Sequence, residues 1–586
     1  MMMHCTSLRP ALMRWTRRFG MVAALAAFAG APTALAQEDD DYGDDTGSGA
    51  EESSFTVNAM AKMQGGLFVP LASDGFSPQK NRASTIVSDI DMGACDPVVS
   101  PAKSCYPQNH GTNAGSPSIS RATLQIEAHW DFSRKLSLHT IIRGARMGTT
   151  EQDEYAQVPR LLDRLPGESN EALGARRRDY AKHWVQNNYY NRFELREFYV
   201  DYLPLDWLMF RLGRQQVAWG ETGSFRMLDV VNPIDSSWHF GPLESFEDQR
   251  IPLWMGLATI DVNALKGALE LLYIPGLDRA RDMVSVPLSN FGAWGVPYSN
   301  QPGSYQIRYK DFHYPGGELA PRNMRGGFRW KGDLGDHASY SLVYMYTHMQ
   351  APVLQRAYQS PERLPDGTAI PGAYSSQVAD RAFFTFPRQH IAGGSFEYVF
   401  DSPIGLTARF ESSVEPNRTY SQRTDTAGAS ANGQIVYSPR TKPVYNYALV
   451  IQRPTMIRWL NPTQNFLLVG QFMHTHVFNV DDVKDNDLVQ AIGYNDWRVQ
   501  KNAYTLVFYA TTNYFHGLFT PRLTGVYIPN PYYQDSGMVS LDLGFRIGPH
   551  YRVNVMATDF VGKNPYRDLG MFRDRDEIHA SLTVLH

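Results

Sequence analysis

Three cysteines in 586 residues are too few for a disulfide-stapled scaffold. Charge of one sign is missing as well: 55 Lys and Arg stand against 59 Asp and Glu, a formal charge of −4, so no basic surface calls for nucleic acid and none is expected as a partner. Long apolar runs are also scarce. The one that approaches bilayer length lies around residues 20–36, which excludes a bundle of membrane-crossing helices. Neither a Gly-x-Ser-x-Gly elbow nor a His-Glu-x-x-His helix is present, so no enzymatic chemistry is read and no cofactor is expected. What is there is ample apolar and aromatic material, 43% and 12% of the chain. That composition suits either a large soluble protein or a barrel, and strand spacing must decide between them.

The first segment reads as an address. Arg14, Arg17 and Arg18 precede the apolar run 21–28, and Ala34-Leu35-Ala36 stands before Gln37, the layout of a cleaved secretory signal over 1–36. Residues 37–54, with Asp39-Asp40-Asp41 and Asp44-Asp45 among Gly and Ser, read as a flexible acidic leader, leaving 55–586 for the folded part. Export into an oxidising compartment removes Cys5 with the signal and predicts a disulfide between Cys95 and Cys105. Those two cannot by themselves complete a four-ligand zinc site. His474 and His476 share a strand face without a matching carboxylate, so no metal is expected.

From Phe55 onward the dominant period is two. Leu124, Ile126, Ala128 and Trp130 fall on one face of a strand, with Gln125, Glu127 and His129 on the other. A short turn follows, and Leu136, Leu138, Thr140 and Ile142 then alternate with Ser137, His139, Ile141 and Arg143. The unit recurs at 207–215, 406–413, 540–547 and 551–558. A two-layer sandwich shows the same alternation, but the connections separate the two. Short links near 131–135, 203–206, 263–266, 332–337, 401–405, 454–464, 515–517 and 548–550 alternate with longer ones near 68–119, 148–191, 216–253, 275–323, 349–389, 414–444, 478–500, 529–536 and 559–576. Eight short and nine long links join 18 strands. An even strand number with short turns at one rim and long loops at the other predicts an all-β, antiparallel transmembrane barrel of the Gram-negative outer membrane, both termini on the periplasmic side. Because hydrocarbon offers no partner to edge amides, the first strand, 55–67, should close against the last, 577–585. Trp130, Tyr202, Trp207, Phe400, Tyr514 and Phe519 fall near strand ends, where interfacial rings belong.

Residues 195–202, Leu-Arg-Glu-Phe-Tyr-Val-Asp-Tyr, lead into Gly213-Arg214-Gln215-Gln216-Val217-Ala218-Trp219-Gly220-Glu221-Thr222. Together with the stretch from Phe225 to Asp235 and Arg250-Ile251-Pro252-Leu253-Trp254, they resemble an uncharacterised proteobacterial outer-membrane barrel family, catalogued as a domain of unknown function and similar to the alginate-export porins. The resemblance is dense over about 192–255 and implies a barrel of about 18 strands engaged in transport or export, with no settled substrate.

The 213–255 segment packs polar groups and prolines into a long connection, which in a barrel is an external loop able to fold into the pore. Arg196, Glu197, Arg211, Arg214, Glu221, Arg226, Asp229, Asp235, Asp248 and Arg250 are therefore the constriction candidates. The competing reading is that these ions only anchor a plug. On the polar strand faces Arg143, Arg211, Arg329, Arg409, Arg546 and Arg552 are balanced by Glu127, Glu197, Glu270, Glu397, Glu411 and Asp542, so no uncompensated basic stripe selects anions. The functional expectation is a porin-like channel or export conduit for a small or hydrophobic solute. The alternatives are a structural or adhesive barrel with a plugged lumen and, less favoured, an outer-membrane hydrolase. Expected partners are outer-membrane lipid and lipopolysaccharide, the solute, and a periplasmic or inner-membrane transport protein.

Overall fold

Strands carry most of the described residues. The structure is a computed structural model and describes residues 54–69, 115–150, 153–154, 162–223, 226–235, 238–276, 294, 306–313, 319–350, 353–363, 369–401, 403–423, 434–480, 488–489, 498–532, 534–562, 568–573 and 575–586. The signal segment, nearly all of the acidic leader, Cys95 and Cys105 lie outside the described residues. In chain order the strands begin with β1 Ser54–Phe68, β2 Pro117–Ser133, β3 Leu136–Met147, β4 Asn191–Leu205, β5 Leu208–Gln215, β6 Leu253–Val262 and β7 Gly267–Ile274. They continue with β8 Gln306–His313, β9 Arg325–Leu334, β10 Ala338–His348, β11 Val353–Arg363, β12 Ala369–Thr385, β13 Arg388–Phe400, β14 Leu406–Arg423 and β15 Gln434–Thr455. The last are β16 Phe466–Val477, β17 Leu488–Val489, β18 Asn502–Thr511, β19 Phe519–Ile528, β20 Ser536–Ile547, β21 Tyr551–Gly562 and β22 Glu577–Leu585.

Antiparallel pairing runs β1 to β7, then β9, β10, β13 to β16 and β18 to β22. β22 then pairs β1, from Met60↔Leu585 to Phe68↔Glu577, and closes the ring. With β8, β11, β12 and β17 outside it, 18 of the 22 strands form one closed antiparallel barrel, as the connection lengths predict. All eight short turns fall where expected, at the rim that also holds the start of β1 and the end of β22.

The alternation sorts residues by side. Outside stand Phe55, Val57, Leu124, Ile126, Leu212, Leu342, Phe410, Phe508 and Leu541, all exposed. The residues between them, such as Arg121, Gln64, Ser341, Glu411, Gln471 and Thr558, are buried toward the lumen. Exposed rings form two girdles: Phe55, Trp130, Tyr202, Trp207 and Tyr551 near the short turns, and Phe193, Trp254, Tyr273, Phe328 and Tyr527 near the long connections. Phe519 and Tyr527 on β19 mark the separation. Eight residues at about 3.4 Å each, tilted by about 40°, give roughly 20 Å of height, close to the apolar band of a membrane barrel.

The long connections hold more structure than their composition suggests. β14 and β15 run on as a paired ribbon to Arg423↔Tyr437, so much of the loop expected over 414–444 is strand. A bulge between Glu415 and Arg418 absorbs Pro416, which has no amide proton for the ladder. Asn417, set free by the bulge, ties back to β13: its Oδ1 accepts from the His390 amide (2.9 Å) and its Nδ2 donates to the Arg388 carbonyl (3.0 Å). β8, β11 and β12 make a further sheet that joins β15 at Arg356↔Val436. The 148–191 connection contains a helix, Asn170–Val185, capped by the Ser169 hydroxyl, which accepts from the Ala172 amide.

Candidate functional site

The β5–β6 connection, residues 216–252, is cinched at its base by one buried amide. Asn232 Nδ2 donates to the carbonyls of Gln215 (3.3 Å) and Ile251 (2.9 Å), and its Oδ1 accepts from the Val217 amide (2.8 Å). The amides of Ile251 and Asp235 donate to the carbonyls of Pro233 and Gln249, both at 2.8 Å. Just before the loop, Gly213 has φ +142°, and a Cβ there would sit 2.2 Å from the Phe198 carbonyl oxygen, so only glycine lets the two strands approach.

From this base one arm, 217–231, packs against the wall. Trp219, Leu228 and Val231 bury themselves among Leu253, Met255, Leu257, Leu272, Ile274, Val343, Met345 and Ile391 of β6, β7, β10 and β13. At about 1.5–3 kcal/mol for each large side chain buried, this packing alone holds the arm in place. The Trp219 indole donates to Glu270 Oε2 (2.8 Å), and Glu270 pairs with Arg329 (2.7 Å). The tip is latched by Glu411, a fully buried carboxylate of β14. Its Oε2 accepts from the amides of Glu221 (2.8 Å) and Thr222 (3.1 Å), and its Oε1 from that of Leu228 (2.9 Å). Arg409 donates to the Glu221 carbonyl (2.9 Å) while paired with Glu397. Met227 packs with Ala448 and Val507 of β15 and β18, so the tip reaches across the lumen.

The second arm, 238–250, lies against β1 to β4 and β22 through charge. Buried His239 stands between Glu577 (3.0 Å) and Glu244 (3.3 Å), and Glu244 pairs with Arg121 (2.6 Å). Burial alone would lower the His239 pKa, but the two carboxylates outweigh it and hold it at about 9. Burial likewise opposes ionisation of Glu244, yet Arg121 and His239 keep it far below the usual carboxylate range. Asp248 pairs with Arg143 (2.8 Å) and Lys62 (3.7 Å), which outweigh its burial and lower its pKa. Arg196 donates to three loop carbonyls, those of Glu247 (2.5 Å), Asp248 (3.1 Å) and Arg250 (3.0 Å). Asp235 pairs with Arg192. Asp229 joins the arms, held by Arg226 (3.2 Å) and Arg250 (2.9 Å).

Charge is thus separated across the gap. The wall presents Lys62, Arg121, Arg143, Arg192 and Arg196 beside Glu194, and the loop presents Asp235, Glu244 and Asp248 beside His239 and Arg250, around a cavity of about 350 Å³. A second cavity of about 580 Å³ lies between the tip, Arg226 to Val230, and the wall from β10 to β19.

Eight of the ten residues singled out in the sequence meet at or beside this loop. Arg196 and Glu197, adjacent in sequence, should face opposite sides of a regular strand. A bulge pairs Ile141 with Glu197 and Ile142 with Leu195, skipping Arg196, so both turn inward, Glu197 to accept from Gln216 (2.8 Å). Glu221 serves mainly through its backbone, with Lys331 3.8 Å from its carboxylate. Arg226, Asp229 and Arg250 form the inter-arm cluster, and Asp235 and Asp248 bind the wall. The other two stay within the wall: Arg211 forks onto Asp201 (2.7 and 2.8 Å) and lies over the Tyr199 ring, and Arg214 stands 3.9 Å from Glu194. Sequence reasoning missed Lys62, Arg121, Arg192, His239, Glu244 and Glu577, which join wall to loop only through contacts 43 to 338 residues apart, and it took Glu411 for an ordinary lumen charge. The Trp238 ring has the Arg121 and Arg192 guanidiniums over it, at 5.2 and 4.5 Å from its centroid, and Phe240 packs against Phe560, Phe572 and Trp294.

A family described as protein of unknown function (DUF1302) matches residues 17–273 and 290–584, nearly the whole chain, in keeping with the resemblance read at 192–255. No curated protein matches. Among solved structures the chain is similar to Acinetobacter baumannii OccAB1, at 8% identity over 91% of this chain and 96% of that one, with TM-score 0.42. It is also similar to Acinetobacter baumannii OccAB4, at 8% identity over 92% and 98%, TM-score 0.42, and to the Salmonella typhi OmpF complex with daunomycin, at 8% over 91% and 97%, TM-score 0.33.

Proposed function

The chain belongs to the DUF1302 family, and from its own geometry we propose that it is a channel of the Gram-negative outer membrane whose lumen is narrowed by the inward 216–252 loop. The closed ring pairs its strands edge to edge so that the wall ladder needs no water, and the apolar exterior between two aromatic girdles suits lipid. The observation that carries the channel reading is the 350 Å³ cavity left between wall and loop, with cations in excess on the wall side and carboxylates Asp235, Glu244 and Asp248 on the loop side. Such a transverse field orients a small dipolar solute and penalises one that cannot align with it. Arg196, Asp235, Asp248 and Arg250 line this passage directly. Arg226 and Asp229 hold its shape, while Glu197, Arg211, Arg214 and Glu221 brace the wall and the loop.

In this reading the protein performs no chemistry on its solute. Export by a cleaved 1–36 signal and a Cys95–Cys105 disulfide belong to the same proposal, together with lipopolysaccharide contacts outside and a transport partner in the periplasm or inner membrane. Purified protein in planar bilayers should conduct, and K62A/R143A should shift its reversal potential toward cations. Absence of conductance in the wild type and after removal of 217–250 would exclude a channel.

A second reading, a barrel sealed by its own loop, is favoured by the packed Trp219 arm and by Met227 reaching the far wall. It requires a silent wild type and a conducting deletion.

A further inference from the structure

The wall of the barrel is not equally tall all round. β18 pairs with β16 over ten residues, from Thr511↔Leu467 up to Asn502↔His476. On its other edge it pairs with β19 only over six, from Thr511↔Arg522 to Leu506↔Tyr527. The cause is in the sequence: the residue that would face Tyr504 is Pro529, which has no amide proton, and the chain turns there into the Pro529-Asn530-Pro531 connection to β20. Four residues of β18, Asn502–Thr505, therefore have a strand partner on one side and none from β19 on the other. The gap opens at the height of Tyr527, a member of the outer aromatic girdle.

Behind this gap lies the 580 Å³ cavity, within the size range of small-molecule sites. Its lining includes Ala503 and Thr505, which face the lumen, and also Tyr504, whose ring stacks on His474 outside the wall (centroids 4.6 Å apart). The lining also takes in Ile528, Pro529 and Asn530 at the end of β19, so the cavity meets both sides of the gap. The lining is also polarised. Next to the gap stand Met473, Val477, Val499, Ile528 and, from the loop tip, Met227, with Gln500 and an Asn530–Asp568 hydrogen bond (2.8 Å) at its rim. Across from them β10, β13 and β14 present His348, Gln389, Glu415 and Arg418. The two charges there, Glu415 and Arg418, face each other at 3.3 Å, so the polar end offers hydrogen bonds without a net charge.

Resting on the channel reading above, we propose that the β18–β19 gap is a lateral port through which a single-chain amphiphile passes between the lumen and the outer leaflet. Its uncharged polar head seats against β10–β14, and its alkyl chain points to the gap. A purely hydrophilic solute gains nothing from this port, and a charged one meets only the mutually paired Glu415 and Arg418 at the polar end.

Stapling the gap tests this. Thr505 and Ile528 are the next inward pair beyond Leu506↔Tyr527, and T505C/I528C places a disulfide across the seam. The protein is reconstituted in phosphatidylcholine vesicles with N-dodecyl dansylamide as the fluorescent amphiphile and sucrose-driven swelling as the measure of the aqueous path. Oxidation should weaken amphiphile binding by about tenfold or more, and reduction should restore it, with swelling unchanged throughout and wild type insensitive to the reductant. A503W, which fills the gap without new cysteines, should reproduce the loss, while A392W, on the outer face of β13, should not. Heat-modifiable migration verifies that each variant is folded. Unchanged amphiphile binding in folded, oxidised T505C/I528C and in A503W would overturn the port and leave the channel standing. Staple-sensitive binding by a protein that gives no sucrose swelling would uphold the port and reject the aqueous channel.

Discussion

Replacing Glu411 by alanine should loosen the loop tip while leaving the barrel closed. The carboxylate accepts from three loop amides at 2.8, 3.1 and 2.9 Å, and it is fully buried. Hydrogen bonds to a charged acceptor contribute about 1.5–3 kcal/mol each, so losing three without replacement would cost about 4–9 kcal/mol. Water entering the space left by the side chain offsets part of that. A net loss on the order of 3 kcal/mol raises the population with the tip displaced by roughly a hundredfold, at about 1.4 kcal/mol per decade. The arm is not expelled, since Trp219 and Val231 keep their packing. Single-channel recording should therefore show a larger mean current in E411A with frequent transitions between levels, and E411Q, which keeps one acceptor oxygen, should fall between. The wall register is untouched, so heat-modifiable migration in gels should match wild type. Should the current trace of folded E411A superimpose on that of wild type, the latch has been misjudged.

Alkaline pH should weaken the second arm. His239 has its pKa raised to about 9, so the stability its charge contributes is fully present below the unfolded value near 6.5 and is lost as pH rises through about 9. Current noise or proteolysis of the loop followed from pH 6 to 10 should rise near pH 9 in wild type and stay flat across that range in H239Q. D248N removes one wall-facing anion and frees Arg143 and Lys62, so its reversal potential should move toward anions, opposite in sign to K62A/R143A. G213A should impair barrel formation: the strained backbone costs about 1–3 kcal/mol and the new methyl collides with the Phe198 carbonyl. The measured outcome is a fall in the heat-modifiable fraction, and a fully folded G213A would contradict the close approach seen there.

The barrel was legible because its determinants are local. Alternation at Leu124 to Trp130 states which side faces lipid, and a two-residue link such as Arg134-Lys135 states that the chain returns at once. The closing partners of β1 and β22 then follow from the need to leave no edge. The loop site was legible only in part. Density of Arg, Asp and Pro marked 213–255, and Arg196 and Glu197 were both singled out, but that these neighbours share a face depends on a bulge, which is invisible in a pattern of period two. Glu411 looks like any inward carboxylate, since its partners are backbone amides nearly 190 positions earlier. The Asn170–Val185 helix escaped notice because it lacks a strong apolar stripe, and its buried face is small.

Closing the ring between Met60 and Leu585 joins positions that leave the ribosome more than five hundred residues apart. Until that final zipper forms, two bare edges rich in Val, Leu and Met remain ready to pair with any passing chain. Folding strand by strand during synthesis is therefore of little use to this molecule. The seam between its outermost strands, β1 and β22, is the one pairing that needs the whole chain to be present.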